Sequence, residues 1–279
     1  KVFNKAFKII LICLMAFGTI EANIVKSKAV KASNTGNYPK EDSVVYNGKI
    51  NYDGNIVGDF TINGMQAFCM AHPLATPGTG VKLTSEIYKD TNIQKVLYYG
   101  WGGPEQWSGF KSRSHGIVVT SLALSYYYYG DNSSPSTIKS FIDFVSSKTM
   151  PDFQVQFSKA KVQAYKSGSI QKTESITLKS GSDTFGVTVS LQNNVTYVDE
   201  THNTRQTGGS VTIKGKTTFH LEAPLNVNLG QWKTGEKTRG YSFSPIRSIA
   251  KVGTYQPLGY YEYTYDPSKT TSLTVDWLS

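Results

Sequence analysis

From Ser43 onward the chain reads as short runs of Val, Ile, Thr, Tyr and Phe separated by Gly, Asn, Asp or Ser, a pattern that predicts strands and turns. Val44-Val45-Tyr46, Lys49-Ile50-Asn51-Tyr52, Ile56-Val57 and Phe60-Thr61-Ile62 are the first such runs. The pairs Asn47-Gly48, Asp53-Gly54 and Asn63-Gly64 between and after them predict hairpin turns, because both residue types tolerate positive φ. Residues 73 to 83, with Pro73, Pro77, Gly78 and Gly80, predict a loop.

The period then lengthens. Thr84-Ser85-Glu86 resembles a helix start, followed by Ile87, Ile93, Val96 and Leu97 on one face, with Asp90-Thr91-Asn92 as a break. A second helix is expected over His115 to Tyr129, apolar on most sides and therefore buried. Ser134-Pro135-Ser136 predicts the start of a third, with a stripe of Ile138, Phe141, Ile142, Phe144 and Val145. After Pro151 alternation returns, in 154–157, 161–165, 175–178, 185–189, 210–213, 218–221, 255–265 and 272–277. Strands, then helices, then strands predict an α+β class: a β-sandwich or barrel-like body (43–73 and 152–279) with a small helical subdomain inserted at 84–150.

The N-terminal pattern differs. Three lysines within residues 1–8 precede an apolar run from Ile9 to Phe17, too short to span a bilayer. Residues 1–32 are expected to be a signal peptide, with Val30-Lys31-Ala32 or Ala22 as cleavage points, and 33–42 a polar leader. This changes the charge picture. The chain of 279 residues carries 29 Lys and Arg against 20 Asp and Glu, but Lys1, Lys5, Lys8, Lys26, Lys28, Lys31 and the lone Glu21 all precede residue 33, leaving a net of +4. No basic cluster interleaves with aromatics, so nucleic-acid binding is not expected. The mature chain is expected to be secreted, without a membrane segment. Its last residues, Trp277-Leu278-Ser279, carry no sorting signal, which fits either the N-terminal piece of a longer wall-anchored protein or a released product.

Removing the leader also leaves a lone cysteine, Cys69, in Gly64-Met65-Gln66-Ala67-Phe68-Cys69-Met70-Ala71-His72-Pro73. A lone thiol on an exported chain is buried and inert, paired with another molecule, or chemically used. The four histidines, His72, His115, His202 and His220, have no zinc-type spacing, so neither metal nor cofactor is expected. A Cys-His hydrolase or transpeptidase would use Cys69 as nucleophile and His115 as base, but no orienting acid or amide can be named. By strand parity His72 points away from Cys69.

Phe68-Cys69-Met70 is similar to the aromatic-Cys-apolar motif of the thioester domains at the tips of Gram-positive surface adhesins and pili. Val96-Leu97-Tyr98-Tyr99-Gly100-Trp101-Gly102-Gly103-Pro104 resembles that family's Tyr-Gly-Gly-Pro segment, and Tyr255-Gln256-Pro257-Leu258-Gly259-Tyr260 its apolar-Gln-x-x-apolar motif. The middle motif, Thr-Gln-x-x-apolar-Trp, is altered: Thr120-Ser121-Leu122-Ala123-Leu124-Ser125 keeps Thr and the apolar pattern and lacks Gln and Trp.

The resemblance, which spans Val44 to Trp277, implies a Cys69–Gln256 thioester in a cell-surface adhesin module that captures a lysine on a host surface or matrix protein, with stalk domains following. A single-turnover capture is not enzymatic. It further implies supporting roles for Thr120 and Ser121. Phe68, Tyr98, Tyr99, Trp101, Trp107 and Tyr255 are candidates to shield the bond from water, and His72 or His115 to accept the amine proton. A non-covalent binding domain with a degenerate site is the alternative reading, and the hydrolase a third.

Overall fold

The computed structural model describes residues 38–251 and 253–279, with the backbone alone at Thr238, Tyr265, Asp266 and Pro267. The expected signal peptide, and the leader up to residue 37, lie outside the described residues. In chain order the elements are β1 (Lys40–Tyr52), β2 (Asn55–Ile62), β3 (Met65–Cys69), β4 (Lys82–Ile87), α1 (Thr91–Tyr99), α2 (Arg113–Tyr129) and α3 (Pro135–Ser146). These are followed by β5 (Gln156–Phe157), β6 (Lys161–Gln163), β7 (Tyr165–Ser167), β8 (Ile170–Lys172), β9 (Ile176–Lys179), β10 (Gly186–Asp199), β11 (Thr204–Lys214) and β12 (Thr218–Pro224). The last are β13 (Gln231–Lys233), β14 (Lys237–Ala250), β15 (Leu258–Thr271) and β16 (Thr274–Asp276).

Strands from the two ends of this region close a barrel in the order β1-β2-β3-β15-β14-β4. The middle strands form a seven-stranded sheet, β11-β10-β12-β8-β7 with β9 and β5 joined at its side, and β13-β16-β6 form a smaller sheet. The three helices lie between barrel strand β4 and the sandwich strands, so the α+β architecture with a helical insert is what forms.

Local chemistry explains where the elements turn. Asp53-Gly54 and Asn63-Gly64 are two-residue hairpin turns with positive φ at all four residues, joining β1 to β2 and β2 to β3. Asn47-Gly48, expected as a third turn, is a bulge inside β1, where the pairing with β2 shifts register between Tyr46 and Gly48. The bulge keeps β1 continuous, so its first residues pair with β4 and the rest with β2. Lys40–Asp42, expected in the leader, are therefore part of the barrel.

Thr84-Ser85-Glu86 is also not a helix start. It belongs to β4, held between β1 and β14, with Leu83 and Ser85 buried. A Thr-Ser-Glu run satisfies a strand as well as a helix start, and ladder partners on both sides decide the matter. The helix begins after Asp90, whose carboxylate accepts from the N–H groups of Asn92 and Ile93. Ser112 caps α2 through the His115 N–H, and Gly130, at φ 77°, closes it in a left-handed turn.

Two buried clusters result. The smaller fills the barrel with Val44, Phe60, Ile62, Ala67, Cys69, Leu83, Ile246, Ala250, Leu258 and Tyr260. The larger joins the outer barrel wall, the helices and the sandwich, through residues such as Phe68, Met70, Tyr98, Leu124, Phe141, Phe153 and Phe243. Among the described residues no helix is long and apolar enough to cross a membrane.

Candidate functional site

Cys69 ends β3, and the alternation of that strand sends Ala67 and Cys69 into the barrel while Phe68 and Met70 face outward. The neighbouring strand on one side is β15, where Leu258 pairs with Cys69 and Gly259 with Phe68. Past the end of that ladder the Met70 N–H donates to Pro257 O at 2.9 Å. Gln256 shares the parity of Leu258 and Tyr260, so it faces the barrel interior beside Cys69 as a diagonal cross-strand neighbour. The two groups are neighbours: the Gln256 carboxamide is close enough to the Cys69 sulfur to favour its thiolate against the effect of burial. Cys69 is 1% and Gln256 3% exposed.

On its other side Cys69 faces β2, where the register of Phe60 with Ala67 carries on to place Gly58 opposite the sulfur. The Gly58 backbone acts on the sulfur by favouring its thiolate, and a Cβ built on Gly58 would lie 2.4 Å from the Phe60 ring. Glycine is thus required for Phe60 to pack over this end of the barrel. Burial pushes the Cys69 thiol up to about 12, against smaller opposing effects of the Gly58 backbone and the Gln256 side chain. At neutral pH the group is a protonated thiol in an apolar chamber.

A short strap, residues 71–77, covers Gln256. The Gln256 N–H donates to Ala75 O at 2.9 Å, Ala75 and Tyr255 form a parallel bridge, and Gln256 Nε2 donates to Thr76 Oγ1 at 3.3 Å. Gln256 Oε1 is buried and has no hydrogen-bond partner among the described residues. Thr76 itself is exposed.

The other sequence candidates are placed elsewhere. His72 lies just beyond β3, with its N–H on Ser125 Oγ and its Nδ1 3.7 Å from Asp131 Oδ2, so it is held against the end of α2. Burial lowers its pKa, with Asp131 opposing the shift. His115 is farther from any role at Cys69: its Nδ1 accepts from the Lys111 N–H and its ring packs on Tyr52 and Phe110.

Of the aromatics proposed as shields, Phe68, Tyr98 and Tyr99 belong to the larger cluster, on the opposite side of the barrel wall from Cys69, and Trp101 and Trp107 pack against that cluster. Strand alternation and helix packing are the reason. Tyr255 is the one of the set that packs with the Cys69 cluster, where Phe60 and Tyr260 also lie.

Thr120 supports the neighbouring loop directly, since its Oγ1 accepts from the Trp101 N–H at 2.9 Å and its side chain sits where a Gly100 Cβ would be. The middle motif on α2 thereby anchors the Tyr-Gly-Trp-Gly-Gly-Pro loop. Ser121 is fully buried and its Oγ has no partner among the described residues. Sequence reading missed Gly58 and Thr76, and for Thr76 the sole signal was its place in a Pro/Gly-rich loop. Among the described residues no three His, Cys, Asp or Glu side chains converge as a metal site would require.

Residues 41–144 match the family described as thioester domain, and residues 156–240 match the thioester-domain-associated β sandwich domain. Gln256 lies beyond both matched ranges. No curated protein sequence matches the chain.

Among solved structures, the Bacillus anthracis TIE protein superposes with a TM-score of 0.60 at 13% identity, covering 86% of this chain and 49% of that one. The chain thus spans about half the length of the Bacillus protein. The thioester domain of the Enterococcus faecium TIE86 protein gives 0.48 at 16% identity, covering 86% and 96%. At 13% identity the likeness to the Bacillus protein is one of fold. From the two family matches, the chain belongs to the thioester-domain family, with a thioester domain followed by its associated β sandwich.

Proposed function

We propose that Cys69 and Gln256 form an internal thioester that covalently captures a primary amine, a lysine on a host surface or matrix protein, in a cell-surface adhesin module. One observation carries the proposal: a buried thiol and a buried carboxamide, from opposite ends of the domain, are diagonal cross-strand neighbours where β3 meets the start of β15, in a chain of this family. The Cys69 sulfur attacks Gln256 Cδ and ammonia leaves. A lysine amine later attacks the same carbon, the C–S bond breaks, and an isopeptide at Gln256 and a free Cys69 thiol remain. The pre-set contact supplies the proximity that a weakly acidic thiol needs to react. Each domain turns over once, so the activity is capture and not enzymatic catalysis.

Secretion and display at the cell wall follow from this reading, as do further stalk domains. The Cys-His hydrolase reading is weakened by His115, whose ring is committed to Tyr52, Phe110 and Lys111.

Intact-mass measurement is the test. The expected result is a protein one ammonia lighter than its sequence, a deficit lost in Cys69→Ala and in Gln256→Ala. A wild-type domain of full sequence mass, with a freely titratable thiol after unfolding, would leave a non-covalent binding domain as the remaining function.

A further inference from the structure

The resting carboxamide reports where an incoming amine must stand. In the proposed capture product the lysine nitrogen is bonded to Gln256 Cδ as an amide, so it takes the position that Gln256 Nε2 holds in this structure. That nitrogen donates to Thr76 Oγ1 at 3.3 Å. Gln256 is buried, while Thr76 is exposed on the strap that covers it, and the strap is tied to Gln256 by the Gln256 N–H to Ala75 O bond and the Ala75–Tyr255 bridge. The Thr76 hydroxyl therefore stands between solvent and the acyl carbon, on the side of the leaving or entering nitrogen.

We infer that Thr76 is the positioning residue for the amine, accepting a hydrogen bond from its N–H and aiming the nitrogen lone pair at Gln256 Cδ. This rests on the thioester reading above. The step balances without another reactant: the nitrogen forms the amide bond, the C–S bond breaks, and the proton lost by nitrogen ends on the Cys69 sulfur. Tight cover over Gln256 favours a primary amine on an unbranched chain, because a secondary amine or an α-branched one would press against the strap.

The test uses wild type, Thr76→Val and Thr76→Ser, with methylamine as probe and intact mass as readout. Valine keeps the shape and removes the acceptor; serine keeps the acceptor. The valine variant is expected to carry the ammonia deficit, to melt near wild type, and to add methylamine roughly tenfold more slowly, the effect of one lost hydrogen bond at the reacting nitrogen. Serine should restore the rate.

If valine blocks formation of the deficit and serine permits it, the hydroxyl acts on the departing ammonia instead, which supports the same placement. Equal methylamine rates in wild type and Thr76→Val, or loss of the deficit in both variants, would overturn the assignment while leaving the thioester itself in place. Absence of the deficit in wild type would sink the thioester reading and this inference with it.

Discussion

At the scale of single residues, the site depends on what is small as much as on what reacts. Gly58 lies opposite Cys69 on the adjacent strand β2, and any side chain there meets the Phe60 ring. Gly58→Ala should cost about 1–3 kcal/mol through displacement of that ring, visible as a lower melting temperature, and should also disturb the Cys69 contact. The thiol makes a second prediction. In a Gln256→Ala variant Cys69 stays a free thiol, and its burial holds it far above the ordinary value of 9.0 for the unfolded group. A raised folded-state pKa contributes stability that is complete below about pH 9 and is lost as pH rises toward 12. Urea unfolding of that variant should show a midpoint that falls with pH across this window, and iodoacetamide should label it slowly until it unfolds. Rapid labelling of the folded variant would show the chamber to be open.

At the scale of elements, α2 is the part that ties the site to the rest. It packs outside β3, with Leu124 close to Gly259 and Met70, and Ser125 holding the chain just beyond Cys69. Thr120 on the same helix carries the Trp101 loop. Thr120→Val preserves volume and leaves the Trp101 N–H without its acceptor, so a loss of about 1–2 kcal/mol is expected in thermal or urea unfolding. Loss of that magnitude with an intact Cys69–Gln256 contact would separate the scaffolding part of the middle motif from the chemistry.

β14 shows why one strand escaped the sequence reading. It contains Gly240 and Pro245, which usually argue against a central strand. Pro245 is tolerated because its carbonyl accepts from Tyr88 just past the end of β4, so the missing N–H points where the ladder has already stopped.

At the scale of the whole molecule, the sandwich carries a charged surface network that should respond to acid. His220 bridges Glu200 at 2.6 Å and Glu222 at 2.9 Å, Arg205 pairs with Glu222, and Asp199 binds His202. Burial alone would raise these carboxylates. Hydrogen bonds from Ser175 and His220 on Glu200, and from His220 and Arg205 on Glu222, outweigh it and hold both below their usual value. Groups depressed in this way add stability above their unfolded pKa and lose it as pH falls through the folded one. The urea midpoint should therefore drop on acidification below the ordinary carboxylate range, and Glu222→Gln should flatten that dependence. An equally steep acid limb in the variant would place the acid-sensitive groups elsewhere.

Hydrophobic period and turn chemistry were enough to read the order of strands, helices and strands, two of the three Gly-containing turns, and the lone thiol worth attention. These are local properties, fixed by φ preferences and by which side chains avoid water. Pairing is not local. Whether Asn47-Gly48 turns or bulges, whether Thr84-Ser85-Glu86 caps a helix or fills a ladder, and which face of the barrel wall Phe68 and Cys69 take all depend on partners distant in the chain. Closure of β3 against β15 is what sets a thiol against a carboxamide, and the folding of the strap over Gln256 is what puts Thr76 at its nitrogen. Residue types near Cys69 could name the candidates, but only the closed barrel could choose among them, because contact between the chain's ends is decided by sheet register and not by any short stretch of sequence.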